Sequence, residues 1–400
     1  MAVLGLNNQS VLHQVFLTNS QTWTAEKSGI IRVVCIGSGG GGGVSCNIGT
    51  ATGGGAGGYS EQTISVASGS TYTVTVGVAP IFKNVSSSSD SNGKLNGGDG
   101  GASRFVTASG TTIDLNAGGG SGGIANRAVT TALAGGAGGT ASGGTINRVG
   151  GAGGAIATQN NADATLATGG GSVGIRNTVG FAGGAITGSL NNTAATGGGG
   201  IGGAGGAVTT DARASNGGGS GGPGVTDANV QSYNGVRFNN GGIATSFITG
   251  LLEASASGYQ HSASSHGYYS SSTGDRSASQ NQGTQANGGN ILDCYGMGGA
   301  ALFNLAGDDG GGHANGFAGA GGGGVAAFYN VDNSLARNPG GIFGGGGGKV
   351  SADAMDNDMC TGHGGAFGGG GGGGTTINNS QAYAGMGGAG VIIIHWLAYG

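Results

Sequence analysis

The residues best suited to chemistry are few and unevenly placed. ADAMDNDMCTGH (Ala352–His363) gathers Asp353, Asp356, Asp358, Cys360 and His363 in one short stretch. Three carboxylates this close could hold calcium through oxygen, but the EF-hand spacing and its closing Glu are absent. Cys360 and His363 could open a zinc site, yet no second pair completes it. A polar turn between glycine runs is the favoured reading of the stretch, and no metal or other cofactor is expected. FGGGGGKV (Phe343–Val350) approaches a phosphate loop but misses it at both ends. Phe343 stands where a Gly is required, and Val350 where a Ser or Thr would hold magnesium. The six histidines (His13, His261, His266, His313, His363, His395) form no Ser-His-Asp arrangement that spacing alone identifies. No acidic pair suited to glycan cleavage stands out. The chain is expected not to be an enzyme.

Binding chemistry is better represented. Between Gln231 and Asn290 glycine thins out and Tyr, His and Ser gather, as in GYQHSASSHGYYSSSTGDRS. Tyr233, Phe238, Tyr259, His261, His266, Tyr268 and Tyr269 offer flat apolar faces, most of them with polar tips. Tyr and Ser together suit adaptable recognition. Aromatic faces would supply contact area and the hydroxyls orientation. Packing of these rings against the rest of the molecule is the alternative use for them.

The elements that must position such residues are unusual. Of 400 residues, 104 are Gly and only 3 are Pro. So much Gly without a strict period usually signals low complexity, but a charged fraction of 8% argues against a disordered chain. No Gly-X-Y period is present, which excludes collagen. The net charge of −4 is spread thinly, without a basic stripe, so nucleic acid is not an expected partner. No apolar run is long enough for a transmembrane helix, and MAVLGLNNQS lacks the layout of a secretory signal. Synthesis in a cytoplasm is expected. Cys35, Cys46, Cys294 and Cys360 are too few to staple the fold.

Ordinary β patterns occupy the two ends. GIIRVVCIG (Gly29–Gly37) and VLHQVFL (Val11–Leu17) are rich in β-branched and apolar residues, and TYTVTVG (Thr71–Gly77) alternates strictly. YSEQTISV (Tyr59–Val66) precedes the last of these across SGS, which reads as a hairpin, and SRFVTA with TTIDLNA reads as a second. VIIIHWLA (Val391–Ala398) is apolar throughout, as expected for a strand buried on both faces. It has no neighbour in sequence to pair with, so it should return to the N-terminal strands.

Between the ends lie glycine runs separated by short polar pieces. Helix is disfavoured by about 1 kcal/mol per Gly relative to Ala, and a strand of bare Gly has nothing to pack. The left-handed threefold helix remains, rising ~3.1 Å per residue with no internal hydrogen bonds. Its amides and carbonyls point outward and need partners. Rods without Cβ atoms can approach closely and supply them.

The stretches GIIRVVCIGSGGGGG, GGGAGGYSEQTISVASGSTYTVTVG, GGDGGASRFV and GMGGAGVIIIHW together resemble the glycine-rich domain common in bacteriophage tail-fibre and related virion proteins. The resemblance is specific over about residues 20–120 and 385–397, and compositional between them. It implies a virion protein that displays variable loops on stacked polyglycine helices to a host surface.

The expected fold is all-β. A small β-sandwich-like domain, formed by N-terminal strands plus the C-terminal strand, would carry a long inserted body of packed polyglycine II helices. The expected layout is an attachment segment at 1–28, a β domain at 29–116 completed by 385–400, rods at 117–230, the Tyr/His/Ser loops at 231–290, and rods again at 291–384. The expected role is a receptor-binding adhesin of a phage tail fibre, with a host glycan or protein and other virion proteins as partners. A trimer follows from the likeness to fibres, and no membrane insertion is expected. The alternatives are a purely structural virion or filament subunit, in which VLHQVFLTN joins a neighbour's sheet, and a surface- or ice-binding protein.

Overall fold

The computed structural model describes residues 14–224, apart from 82, 88–89, 109–112, 128–130, 160–163, 191–192, 210–212, 216 and 220–222. It also describes 302–303, 321–326 without 323, 338–351, and 362–399 without 379–380. Among these residues the fold is all-β, with no α-helix and one 3₁₀ turn at Asp90–Gly93.

Two five-stranded antiparallel sheets form a sandwich. Its strands are β1 (Gln14–Leu17), β2 (Gln21–Thr24), β3 (Gly29–Ile36), β4 (Tyr59–Val66), β5 (Thr71–Thr75), β6 (Ser103–Thr107), β7 (Asp114–Ala117), β8 (Ala141–Ser142), β9 (Ile146–Arg148) and β10 (Val391–Tyr399). One sheet has the order β1-β10-β3-β4-β9 and the other β8-β7-β6-β5-β2. The C-terminal strand β10 does return, lying between β1 and β3. Strand β1 therefore completes its own chain's sheet, which leaves only its outer edge for any neighbour.

The core between the sheets follows the period of two. Ile31, Val33 and Cys35 of β3 meet Ile392, Ile394 and Trp396 of β10, and Tyr72, Val74, Phe105 and Leu115 close from the other sheet. Tyr72 and Phe105 stack at 4.7 Å, with Trp23 tilted against both. β6 and β7 form the expected hairpin. β4 and β5 do not: β4 pairs with β3, and β5 pairs with β6 and β2. The short Ala67–Ser70 link is a corner between sheets, turned by Gly69 at φ 84°. Alternation alone reads the same for a hairpin and for two facing strands, so long-range packing decides.

The first sheet is buried on its second face too. Val34, Ile36, Tyr59, Val391 and Ile393 pack on Ala56, Val173, Ile175, Ile201 and Phe343 of the glycine body. Phe343 is buried despite a left-handed φ of 69° and lies 6.2 Å from the Phe367 ring.

The body is a lattice with a period of three. In the run Gly37–Gly43, the amides of Gly37, Gly40 and Gly43 donate to Gly58, Gly55 and Thr52 of one neighbouring run. Those of Ser38 and Gly41 donate to Gly101 and Gly98 of a second, and those of Gly39 and Gly42 to Gly388 and Gly385 of a third. Every third residue faces the same neighbour, which is the signature of a threefold helix with outward amides. Seven residues at ~3.1 Å span about 22 Å. A Cβ built on Gly39, Gly42 or Gly55 would sit inside a neighbour's carbonyl group. One outer run differs: Val78 and Ile81 are 77% and 84% exposed, and Pro80 lies over Gly41 and Gly98. Proline has no amide to offer, so this run closes one flank of the lattice.

Candidate functional site

The rods run between two ends. One end is the sandwich: Ile36 leads into Gly37, and Gly58 leads into Tyr59. The other end is built from the turns in which rods reverse. There, short strands form a sheet of Ala125–Asn126, Thr50–Ala51, Thr165–Ala167, Thr193–Ala195 and Arg213–Ala214. A second sheet holds Leu302–Phe303, Val325–Ala326, Lys349–Ser351, Gly374–Thr376, Val44–Ser45 and Lys94–Leu95. Most pairings are parallel, because rods arriving from the sandwich enter side by side. Ile156, Leu166, Ile186, Leu190 and Val208 form a small apolar core beneath the turns.

This far end carries the side chains the rods lack. An open groove of about 400 Å³ is lined by Lys94, Leu95, Asn96, Ile124, Asn126 and Leu133, among others. Lys94 Nζ donates to Asn126 Oδ1 (3.3 Å), and Asn126 Nδ2 donates to Thr131 Oγ1 (3.3 Å). The Asn96 amide oxygen accepts from the Ala125 amide (3.0 Å). Beside the groove, Arg127 donates to the Asn47 carbonyl (3.5 Å). Asn47 and Ile48 are both left-handed, at φ 58° and 60°. Amides and an ammonium beside the apolar side chains Leu95, Ile124 and Leu133 can orient a polar ligand.

The described residues on either side of the aromatic segment belong to this lattice. The amide of Gly224 bonds to the Ala204 carbonyl (2.8 Å), and the described chain resumes at Leu302–Phe303, paired with Val325–Ala326 in the far sheet. Tyr233, Phe238, Tyr259, His261, His266, Tyr268 and Tyr269 fall between these points, outside the described residues. Asp353, Asp356, Asp358 and Cys360 also lie outside them. His363 is described: its Nδ1 accepts from the Met386 amide (3.0 Å), and burial holds its pKa below the usual imidazole value. Among the described residues no group of three or more His, Cys, Asp or Glu could hold a metal ion.

The amides of the FGGGGGKV stretch are engaged in the lattice. Gly345, Gly346 and Gly348 donate to Gly199, Gly370 and Thr196, so these groups do not converge on a phosphate. Cys35 and Cys46 are buried thiols outside any disulfide, and burial raises the Cys35 pKa far above its ordinary value.

Sequence reasoning missed two polar groupings at the sandwich. The Tyr59 hydroxyl donates to the Glu61 carboxylate, which Arg176 meets at 3.5 Å from a turn of the body. Gln14, His395 and Arg32 stand in one row across β1, β10 and β3. The signal was present: Arg32 interrupts GIIRVVCI, and His395 interrupts VIIIHWLA.

A family model described as a glycine-rich domain matches residues 16–242, more than half of the chain. No match was found among curated proteins.

Proposed function

The chain belongs to the glycine-rich domain family, and from that premise we propose that it is a host-binding adhesin of a bacteriophage tail or virion fibre. The observation that carries the reading is the division between rods and turns. Rod backbones bond to one another and leave little room for side chains. Chemical variety is therefore concentrated in the turns, where it can change without disturbing the rods. Loops on a rigid scaffold are a common location for binding residues.

In this reading Tyr233, Phe238, Tyr259, His261, His266, Tyr268 and Tyr269 contact a host glycan or surface protein. Other virion proteins hold the sandwich end, and several copies per particle turn weak single sites into avidity. A trimer fits that need. The reading comes from the resemblance to phage fibre domains and from the rod-and-turn layout.

The test is to measure binding of the purified chain to susceptible and resistant bacteria, then exchange residues 231–290 for those of a relative with another host range. Binding that follows the exchanged segment is expected. If the intact chain binds neither strain, or host range ignores the exchange, the reading is overturned. A purely structural subunit is the second reading, favoured by the sheet edges that β1 and β2 present. It predicts that the chain polymerises on its own without binding cells.

A further inference from the structure

The two far sheets each end in a short edge strand, Lys94–Leu95 in one and Ala125–Asn126 in the other. The groove of about 400 Å³ is lined by both. It is open to solvent: Asn96 and Ile124 in its lining are exposed, and Lys94, Asn126 and Leu133 are half-buried. Its polar groups are held from both sides. Asn96 Oδ1 accepts from the Ala125 amide, which ties the end of one edge strand to the start of the other. Asn126 Oδ1 accepts from Lys94 Nζ, and the Asn126 carbonyl accepts from Thr50 Oγ1 at 3.1 Å.

Charge is what the groove leaves unmatched. A lysine ammonium carries three donors, and Lys94 spends one on an uncharged amide. Among the described residues the ion pairs are Arg104–Asp114 and Arg176–Glu61, and Lys94 joins neither. No Asp or Glu lines the groove. Arg127, next along from Asn126, is exposed and donates to the Asn47 carbonyl rather than to an acid. Asn47 lies two residues beyond Ser45, which is registered with Lys94. Two cations without carboxylates thus share one corner of a chain whose net charge is −4.

We propose that this groove binds a saccharide bearing a carboxylate, of the uronic-acid class. Lys94 meets the carboxylate, Asn96 and Asn126 meet ring hydroxyls, and Ile124 and Leu133 lie along the less polar face of the ring. One ammonium in the lining matches a monoanion better than a phosphate dianion, and its hydrogen bond to the carboxylate is charge-assisted. Asn side chains both donate and accept, as a sugar hydroxyl does. The volume falls in the range of small-molecule sites. Two amides beside one ammonium offer more to hydroxyls than to the apolar side chains of an acidic peptide. The site is separate from residues 231–290 and goes beyond the host-binding reading, which can fail without it.

The test titrates the full chain, at low salt, with digalacturonic acid and with its methyl ester. The acid is expected to bind about tenfold more tightly than the ester, the scale of one hydrogen bond to a charged group. Added salt should weaken the acid and leave the ester unchanged. Lys94→Met should bring the acid down to the level of the ester, and Arg127→Gln should weaken it about twofold, as befits an exposed charge. Equal binding of acid and ester, no binding at millimolar sugar, or acid binding that survives Lys94→Met would overturn the proposal. So would acetate or inorganic phosphate binding as tightly as the sugar acid, which would make the corner a simple anion site. Tighter binding of acetyl-Leu-Glu-Leu-amide would assign the groove to an acidic peptide instead. Loss of binding on exchange of residues 231–290 would place the sugar on that segment and overturn the groove. If Lys94→Met fails to fold, the comparison of acid and ester on the unaltered chain decides.

Discussion

The amide of Gly371 donates to the carbonyl of Gly40 across 2.9 Å, and the Gly371 carbonyl accepts from Gly54 at 2.8 Å. A Cβ at Gly371 would fall on the Gly385 carbonyl, a third neighbouring run. Gly371→Val should therefore push rods apart and strain or break these bonds. We expect a loss of about 3 kcal/mol or more, from overpacking and lost hydrogen bonds together. Thr73→Val, on the exposed face of β5, should change little. Denaturant titration of both variants is the check.

The strands at both ends were legible because the period of two is local. Gly29–Ile36, Tyr59–Val66 and Val391–Tyr399 stand close to where the β patterns lie. A threefold helix was also legible in kind, since a glycine run has few other options. The partners were not. Ser38 Oγ donates to Gly388, 350 residues away, and no local pattern specifies which run lies beside which. Nor does alternation tell a hairpin from a corner, which is why Tyr59–Val66 and Thr71–Thr75 fall in different sheets. The Gln14–His395–Arg32 row is a product of register, visible only once β10 is set between β1 and β3.

At the seam between sandwich and body, Glu61 is buried while Arg176 is partly exposed. Glu61→Ala leaves the Tyr59 hydroxyl without its acceptor. Discounting the exposed arginine, the loss should be about 1–3 kcal/mol. A double-mutant cycle with Arg176→Ala measures the share carried by the ion pair.

Acid should destabilise the fold. His395 titrates at about 4 when folded against an ordinary 6.5, and His363 is also lowered, in both cases chiefly by burial. Both pKa values are depressed, so between about pH 4 and 6.5 the unfolded chain binds more protons than the folded one. Stability then rises with pH across that window and falls on acidification. For half-buried His395 the loss should be about 1–2 kcal/mol after allowance for solvent screening. Unfolding curves at pH 7 and pH 4.5 should converge for His395→Gln, apart from the part due to His363 and other groups.

Phe343 offers an inverted series. Its left-handed φ suits glycine, while its ring is buried against the sheet. Phe343→Ala should lose about 3–4 kcal/mol of packing and keep the backbone strain. Phe343→Gly loses the same ring but relieves the strain. It should unfold no earlier than the alanine variant, the reverse of the usual order, as a pair of thermal melts would show.

Cys35 and Cys46 should resist thiol reagents in the native state, since both are buried and burial keeps Cys35 protonated. Peptide mapping after labelling should find them modified only once the chain is unfolded. Native labelling of Cys35 would show that the sandwich opens.

The threefold spacing of lateral bonds gives this chain something like a reading frame. A turn at the far end can gain or lose any number of residues without disturbing its neighbours. Within a run such as Gly37–Gly43, one added residue rotates every later amide to the wrong neighbour, and only a triplet restores the phase. Length changes in this protein should thus be tolerated freely in its turns and in threes within its rods, where each triplet displaces the tip by about 9 Å.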